Sequence, residues 1–174
     1  MIIQETRHLS TKSILTKRSL ILFFLTLTLL PSNSYASVQV YTPEKILPTG
    51  IDSSLSVNPY TGESGQVRKG TIAATINNVA LLNKLLNQGN QEGIEEVVKA
   101  VRVLIPSLKA IGIFNMFSPM EWLSTTDQLG RILVAVLLLQ AYPAEITTEI
   151  KAKLAQIREQ TPISYLAQEI DKVL

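Results

Sequence analysis

From residue 71 onward, apolar side chains recur at steps of three and four. Ile72, Ile76, Val79, Leu82 and Leu86 predict one face of a helix that stops at Gly89. Ile94, Val97, Val98, Val101 and Leu104 predict a second helix from Gln91 to about Ile105. Pro106 then breaks or kinks the chain, and a short helix continues to Gly112. Ile113 to Phe117 reads as an apolar linker. The run Ile132–Leu139 is apolar on every side, which places it at the centre of a bundle. A membrane span is the competing reading, but the run is bounded by Arg131 and Gln140 and falls far short of the roughly 20 residues a span needs. Two further stripes follow, Ile146, Ile150, Leu154 and Ile157, then Ile163, Leu166, Ile170 and Val173.

Cap and charge signals divide these stripes into elements. Ser118-Pro119-Met120-Glu121 has the order of a capping box with proline at the first helical position. Ser124–Asp127 restarts a helix, Pro143 opens another, and Thr161-Pro162 caps the last. Glu92, Glu95 and Glu96 lead their helix while Lys99 and Arg102 follow, the order that the helix dipole favours. The predicted fold class is all-α: a compact bundle of about five main helices over residues 71–174, with short linkers that favour antiparallel neighbours.

The chain before residue 71 reads differently. Residues 37–70 hold Pro43, Pro48 and Pro59 and half of the eight glycines. Val38 and Val40 alternate with polar neighbours and allow one short strand at most, and Asn58-Pro59-Tyr60-Thr61-Gly62 is turn chemistry. This segment is read as an extended arm, draped on the bundle or loose. Residues 1–36 begin with Arg7, Lys12, Lys17 and Arg18, continue with the apolar run Ser19–Leu30 and end at Ser34-Tyr35-Ala36. That is the order of a secretory signal peptide, with cleavage expected after Ala36. An uncleaved anchor formed by residues 19–30 is the alternative, and only that alternative brings the chain to a membrane. The expected organisation is therefore signal peptide 1–36, arm 37–70 and helical domain 71–174.

Removing the signal alters the charge. The whole chain carries 16 Lys+Arg and 14 Asp+Glu, net +2. Four bases and one acid leave with residues 1–36, so twelve bases and thirteen acids remain, net −1. No basic cluster is left to track a phosphate backbone, so nucleic acid is not an expected partner. Cysteine is absent and the one histidine, His8, lies in the signal. The mature chain therefore has no histidine base for a serine nucleophile, no thiolate and no nitrogen–sulfur zinc site. No catalytic residue, cofactor or metal is expected from its motifs. Gly62-Glu63-Ser64-Gly65 lacks the spacing of a nucleophile elbow, and Gly65–Thr71 has its lysine on the wrong side of the glycine for a phosphate loop.

Two weaker features remain. Arg68 and Lys69 precede a helix start at Thr71, where backbone amides favour anions; solvated surface charge explains the same residues. Phe114, Met116, Phe117, Met120 and Trp122 concentrate aromatic and methionine side chains in a chain with little of either. Such residues plug the end of a bundle or form an adaptable contact patch. The functional expectation is an exported, non-enzymatic binding module with a protein partner in the cell envelope. The alternatives are a carrier of lipid or a small apolar ligand, and an enzyme that uses only carboxylate, Ser, Lys or Tyr groups. Oligomeric state is not legible.

Overall fold

A computed structural model of the chain describes residues 37–47 and 53–174. The signal and its cleavage site fall outside those residues. The described chain is mostly helical, with a compact helical core. In order, it contains α1 (Pro43–Ile46), β1 (Ser53–Val57), β2 (Ser64–Arg68), α2 (Thr71–Gln88), α3 (Gln91–Ala110), α4 (Ile113–Met116), α5 (Pro119–Leu123), α6 (Leu129–Ala141), a 3₁₀ turn (Pro143–Glu145), α7 (Thr148–Gln160) and α8 (Ser164–Asp171).

α6 lies at the centre. Its residues Ile132 to Leu139 are all buried, as expected for a helix with no polar face. α2, α3, α5 and α8 pack around it. Gly130 allows the close crossing of α2 and α6. A Cβ there would overlap the Val79 carbonyl oxygen and lie 2.8 Å from the Asn83 nitrogen. In its place the Gly130 amide donates to Asn83 Oδ1 at 2.6 Å. No helix of the described residues is long and apolar enough to cross a membrane.

β1 and β2 pair antiparallel, from Ser53 opposite Arg68 to Val57 opposite Ser64, and β2 lies on α3. The strands are thus at 53–57 and 64–68, while Val38 and Val40 have no regular structure and pack on the helices. Buried asparagines explain the docking. Asn58 Oδ1 accepts from the amides of Tyr60 (2.9 Å) and Thr61 (3.3 Å) and shapes the turn. Its Nδ2 donates to the Lys109 carbonyl (2.8 Å) and to Asn115 Oδ1 (3.0 Å), which ties the hairpin to the end of α3. Asn78 accepts from the Tyr41 amide at 3.0 Å and donates to the Tyr41 carbonyl at 2.8 Å, holding the first described segment as a strand neighbour would. A Cβ on Gly65 would come within 2.7 Å of Ala110 Cβ, so glycine lets β2 lie close to α3.

Several predicted details change. α3 continues through Pro106 to Ala110. Pro106 and Arg102 are both exposed, so the Arg102 carbonyl that loses its helical donor faces solvent. Residues 113–116 form a short helix instead of a linker. The central helix begins at Leu129, after the polar stretch 124–127, and the last begins at Ser164. Pro143 opens only the 3₁₀ turn, and α7 starts at Thr148 behind Thr147, whose hydroxyl accepts from the Ile150 amide. The Ser118–Glu121 capping box forms as read. The largest difference is in α2. Its inward face is Thr71, Ala74, Thr75, Asn78, Leu82, Leu85 and Leu86, while Ile72 and Ile76 point outward. Asn78 faces inward because its amide completes the backbone of Tyr41, and that rotation turns the two isoleucines to solvent.

Gly130→Ala is expected to destabilise the protein by about 3 kcal/mol, because backbone must move to admit the methyl group. Gly62→Ala, where φ is +74° but nothing lies near the added atom, should cost only about 1 kcal/mol. Urea unfolding of both variants measures the difference.

Candidate functional site

The outward rotation of α2 leaves an apolar surface on that helix. Ile76 is 63% exposed and Ile72 is also exposed. Two open hollows meet at Ile76. One, of about 480 Å³, runs along the α2 start and is walled by Val67, Ile72, Ala73 and Ile111. The other, of about 250 Å³, is walled by Val79, Phe117, Trp122 and the stems of Gln128 and Arg131. Together they make a shallow apolar trough.

The aromatic cluster read from sequence divides across this surface. Trp122 and Phe114 are buried and meet edge to face, with centroids 5.7 Å apart and planes at 64°. They plug the bundle end. Met120 is half-buried against the core. Phe117, 42% exposed, and Met116 reach solvent. Phe117 and the face of Trp122 are the members that line the trough. Ile72 and Ile76, assigned to the core by periodicity, belong to this surface instead.

Charge in the trough is one-sided. No Asp or Glu lines either hollow. Lys69 stands at one end with no acidic partner among the described residues. Arg131 stands at the other, its guanidinium 5.5 Å from the Trp122 ring centroid and likewise without an acid. The indole nitrogen of Trp122 is buried and has no acceptor, an arrangement that costs about 1–3 kcal/mol in a closed core.

The three residues read as an anion site line one hollow together, and two of them have partners within the chain. Arg68 forms an ion pair with Glu44. Thr71 is buried and its hydroxyl donates to the Arg68 carbonyl at 2.8 Å. Of the three, Lys69 alone has no side-chain partner among the described residues. The Glu44–Arg68 pair borders a third hollow, of about 460 Å³, where Tyr41, Ala100 and Val103 supply the apolar walls.

A buried polar network lies elsewhere, where α3, the central helix α6 and the C-terminal end of α8 meet. Glu169 is buried. Its carboxylate accepts from Lys172 Nζ (2.5 Å), Gln140 Nε2 (2.9 Å) and Arg102 Nη2 (3.1 Å). Arg102 also donates to Gln140 Oε1 at 2.6 Å. Burial pushes the Glu169 carboxyl upward, but the hydrogen bonds of Lys172 and Gln140 and the charges of Lys172 and Arg102 outweigh it and hold the group below its ordinary value. Tyr165 is pushed up to about 12, first by burial and then by the charges of Glu169 and Glu95. This network ties α3, α6 and α8 together. Among the described residues no group of three or more acids could hold a metal ion.

A family model described as a domain of unknown function, DUF7709, matches residues 44–142. The chain belongs to the DUF7709 family. No curated protein and no solved structure matches it. The DUF7709 segment runs from the partner of Arg68 to the end of the central helix, so it contains the hairpin and the whole trough. The Val38–Val40 segment, α7 and α8 lie outside it.

Two measurements follow. Trp122→Ala should cost about 3–5 kcal/mol, as for a buried aromatic, and Phe117→Ala less than about 1 kcal/mol, as for a surface position; denaturant unfolding separates them. Because the folded pKa of Glu169 lies below its unfolded value, its contribution is present at neutral pH. That contribution is lost as pH falls from the ordinary glutamate value, about 4.3, through the lower folded one. Glu169→Gln should therefore be less stable than the parent at pH 7, and the gap should close towards pH 3.

Proposed function

We propose that this chain is an exported, non-enzymatic binding module that meets a protein partner in the cell envelope, with the trough along α2 as its contact surface. The observation that carries this reading is the exposure of Ile72, Ile76 and Phe117 on one surface of a domain whose core is already filled. Contiguous apolar surface rimmed by polar residues is a feature of interaction sites. The contact patch first sought in residues 114–122 is thus moved: Phe117 and Trp122 keep their place in it, and α2 supplies the rest. Export is supported by the basic, apolar and small-residue order of residues 1–36, with Ser37 as the new first residue and residues 37–174 as the working protein.

The two rival functions have less support. A carrier of lipid encloses most of its ligand, whereas the hollows here are open to solvent. An enzyme built on carboxylate, Ser, Lys or Tyr would draw on Glu169 and Tyr165, but Glu169 already spends its oxygens on three donors and Tyr165 stays protonated through the neutral range.

A photo-crosslinking residue at position 76 in the native host is expected to give a discrete protein adduct, and the same residue at exposed Glu96 none. Phe117→Asp should abolish the adduct without unfolding the domain. Equal labelling from both positions would remove the trough from the proposal. Intact mass of the recovered protein tests export: a chain that starts at Ser37 is expected, and a full-length chain in the membrane fraction would instead make residues 19–30 an anchor.

A further inference from the structure

The one-sided charge of the trough says what kind of segment fits it. The argument rests on the trough being a contact surface and adds the chemistry of its occupant. Along the α2 axis, the levels of Thr71 and Val79 are roughly 12 Å apart at 1.5 Å per residue. Lys69 lies just beyond the first level and Arg131 beside the second, both without an acid of their own among the described residues. Between them the floor is aliphatic and aromatic. The trough is shallow, so it covers one face of an occupant and leaves the rest in water. A free fatty acid would bury too little of its chain there, whereas an amphipathic helix needs only one face covered.

We infer that the trough receives an amphipathic helical segment of a partner protein, about two to three turns long, with an apolar stripe and an acidic residue near each end of it. The stripe rests on Ile72, Ile76 and Phe117. One carboxylate meets Lys69 and the other Arg131, spaced by about two helical turns, which is the i to i+7 or i+8 separation on one face. The unpaired charges at the trough are therefore both cationic, and the complement is an acid-flanked helix.

The test uses the full chain and two labelled synthetic helical peptides with the same leucine stripe, one with glutamate at both end positions and one with lysine there. Fluorescence anisotropy at low salt is expected to show the glutamate peptide binding at least roughly fivefold more tightly, a preference that falls with added salt. Lys69→Gln with Arg131→Gln should remove the preference and leave apolar binding in place. Lys69→Glu alone should reverse it at one end, and this variant keeps the test open if the loss of Arg131 disturbs folding. Ile76→Asp should abolish binding of both peptides.

Equal binding of the two peptides by the parent protein would overturn the charge assignment while leaving the trough as a contact surface. Binding of neither by folded protein would overturn the helical occupant, and the crosslink at position 76 would then decide separately whether any protein docks there. Vesicles of phosphatidylglycerol that shift the fluorescence of Trp122, the single tryptophan, while the glutamate peptide does not bind, would overturn the inference in favour of a lipid surface.

Discussion

A helix with no polar side must be covered on every side, and the rest of this fold follows from that need. Eight consecutive residues of α6 are shut away from water, so the chain must supply a wall in each direction. α2 and α3 supply two, α5 a third and α8 a fourth. Burial of one aliphatic side chain contributes about 1.5–3 kcal/mol. The stripe on α6 therefore dominates the driving force for collapse, and each covering helix needs only a narrow apolar face. Gly130 shows how tight the cover is, since a single methyl group at that crossing has no room.

The polar contacts inside this arrangement decide register. Asn58, Asn78 and Asn83 each place a side-chain amide against main-chain groups of another segment. An amide satisfies a lone backbone donor or acceptor without the desolvation penalty of a charge. That is why a hairpin and an irregular N-terminal segment can dock on helices that offer no sheet edge. Glu169 is the exception. It is charged and buried, and it is held so by two cations and a glutamine; losing any one donor would leave an expensive group poorly compensated.

Much of this was legible in the amino-acid order. The central helix, the stop at Gly89, the Ser118–Glu121 cap and the mostly helical composition follow from local rules. Failures came where a distant partner set the orientation. Ile72 and Ile76 lie on a valid helical stripe, and only the bond between Asn78 and Tyr41, thirty-seven residues apart, shows that another face turns inward. The hairpin is hidden from local rules for a related reason. Ser53–Val57 and Ser64–Arg68 are poor in the branched and aromatic residues that mark strands, and their pairing depends on how Asn58 folds the turn and binds α3. The aromatic cluster was recognised as a unit, but burial separates Phe114 and Trp122 from Phe117 and Met116, and burial is a three-dimensional property. The pairing of Arg68 with Glu44 was likewise out of reach, because it depends on where α1 docks.

The boundary of the family match gives the central helix a further meaning. The matched segment ends at Tyr142, one residue after α6 closes. Leu166 and Ile170 of α8, both fully buried, belong to the same core but lie beyond that boundary. The unit of kinship and the unit of folding are therefore different lengths. A fragment trimmed to residues 44–142 would keep every residue of the trough yet leave one flank of its greasiest helix bare, and it would seek cover from its own copies.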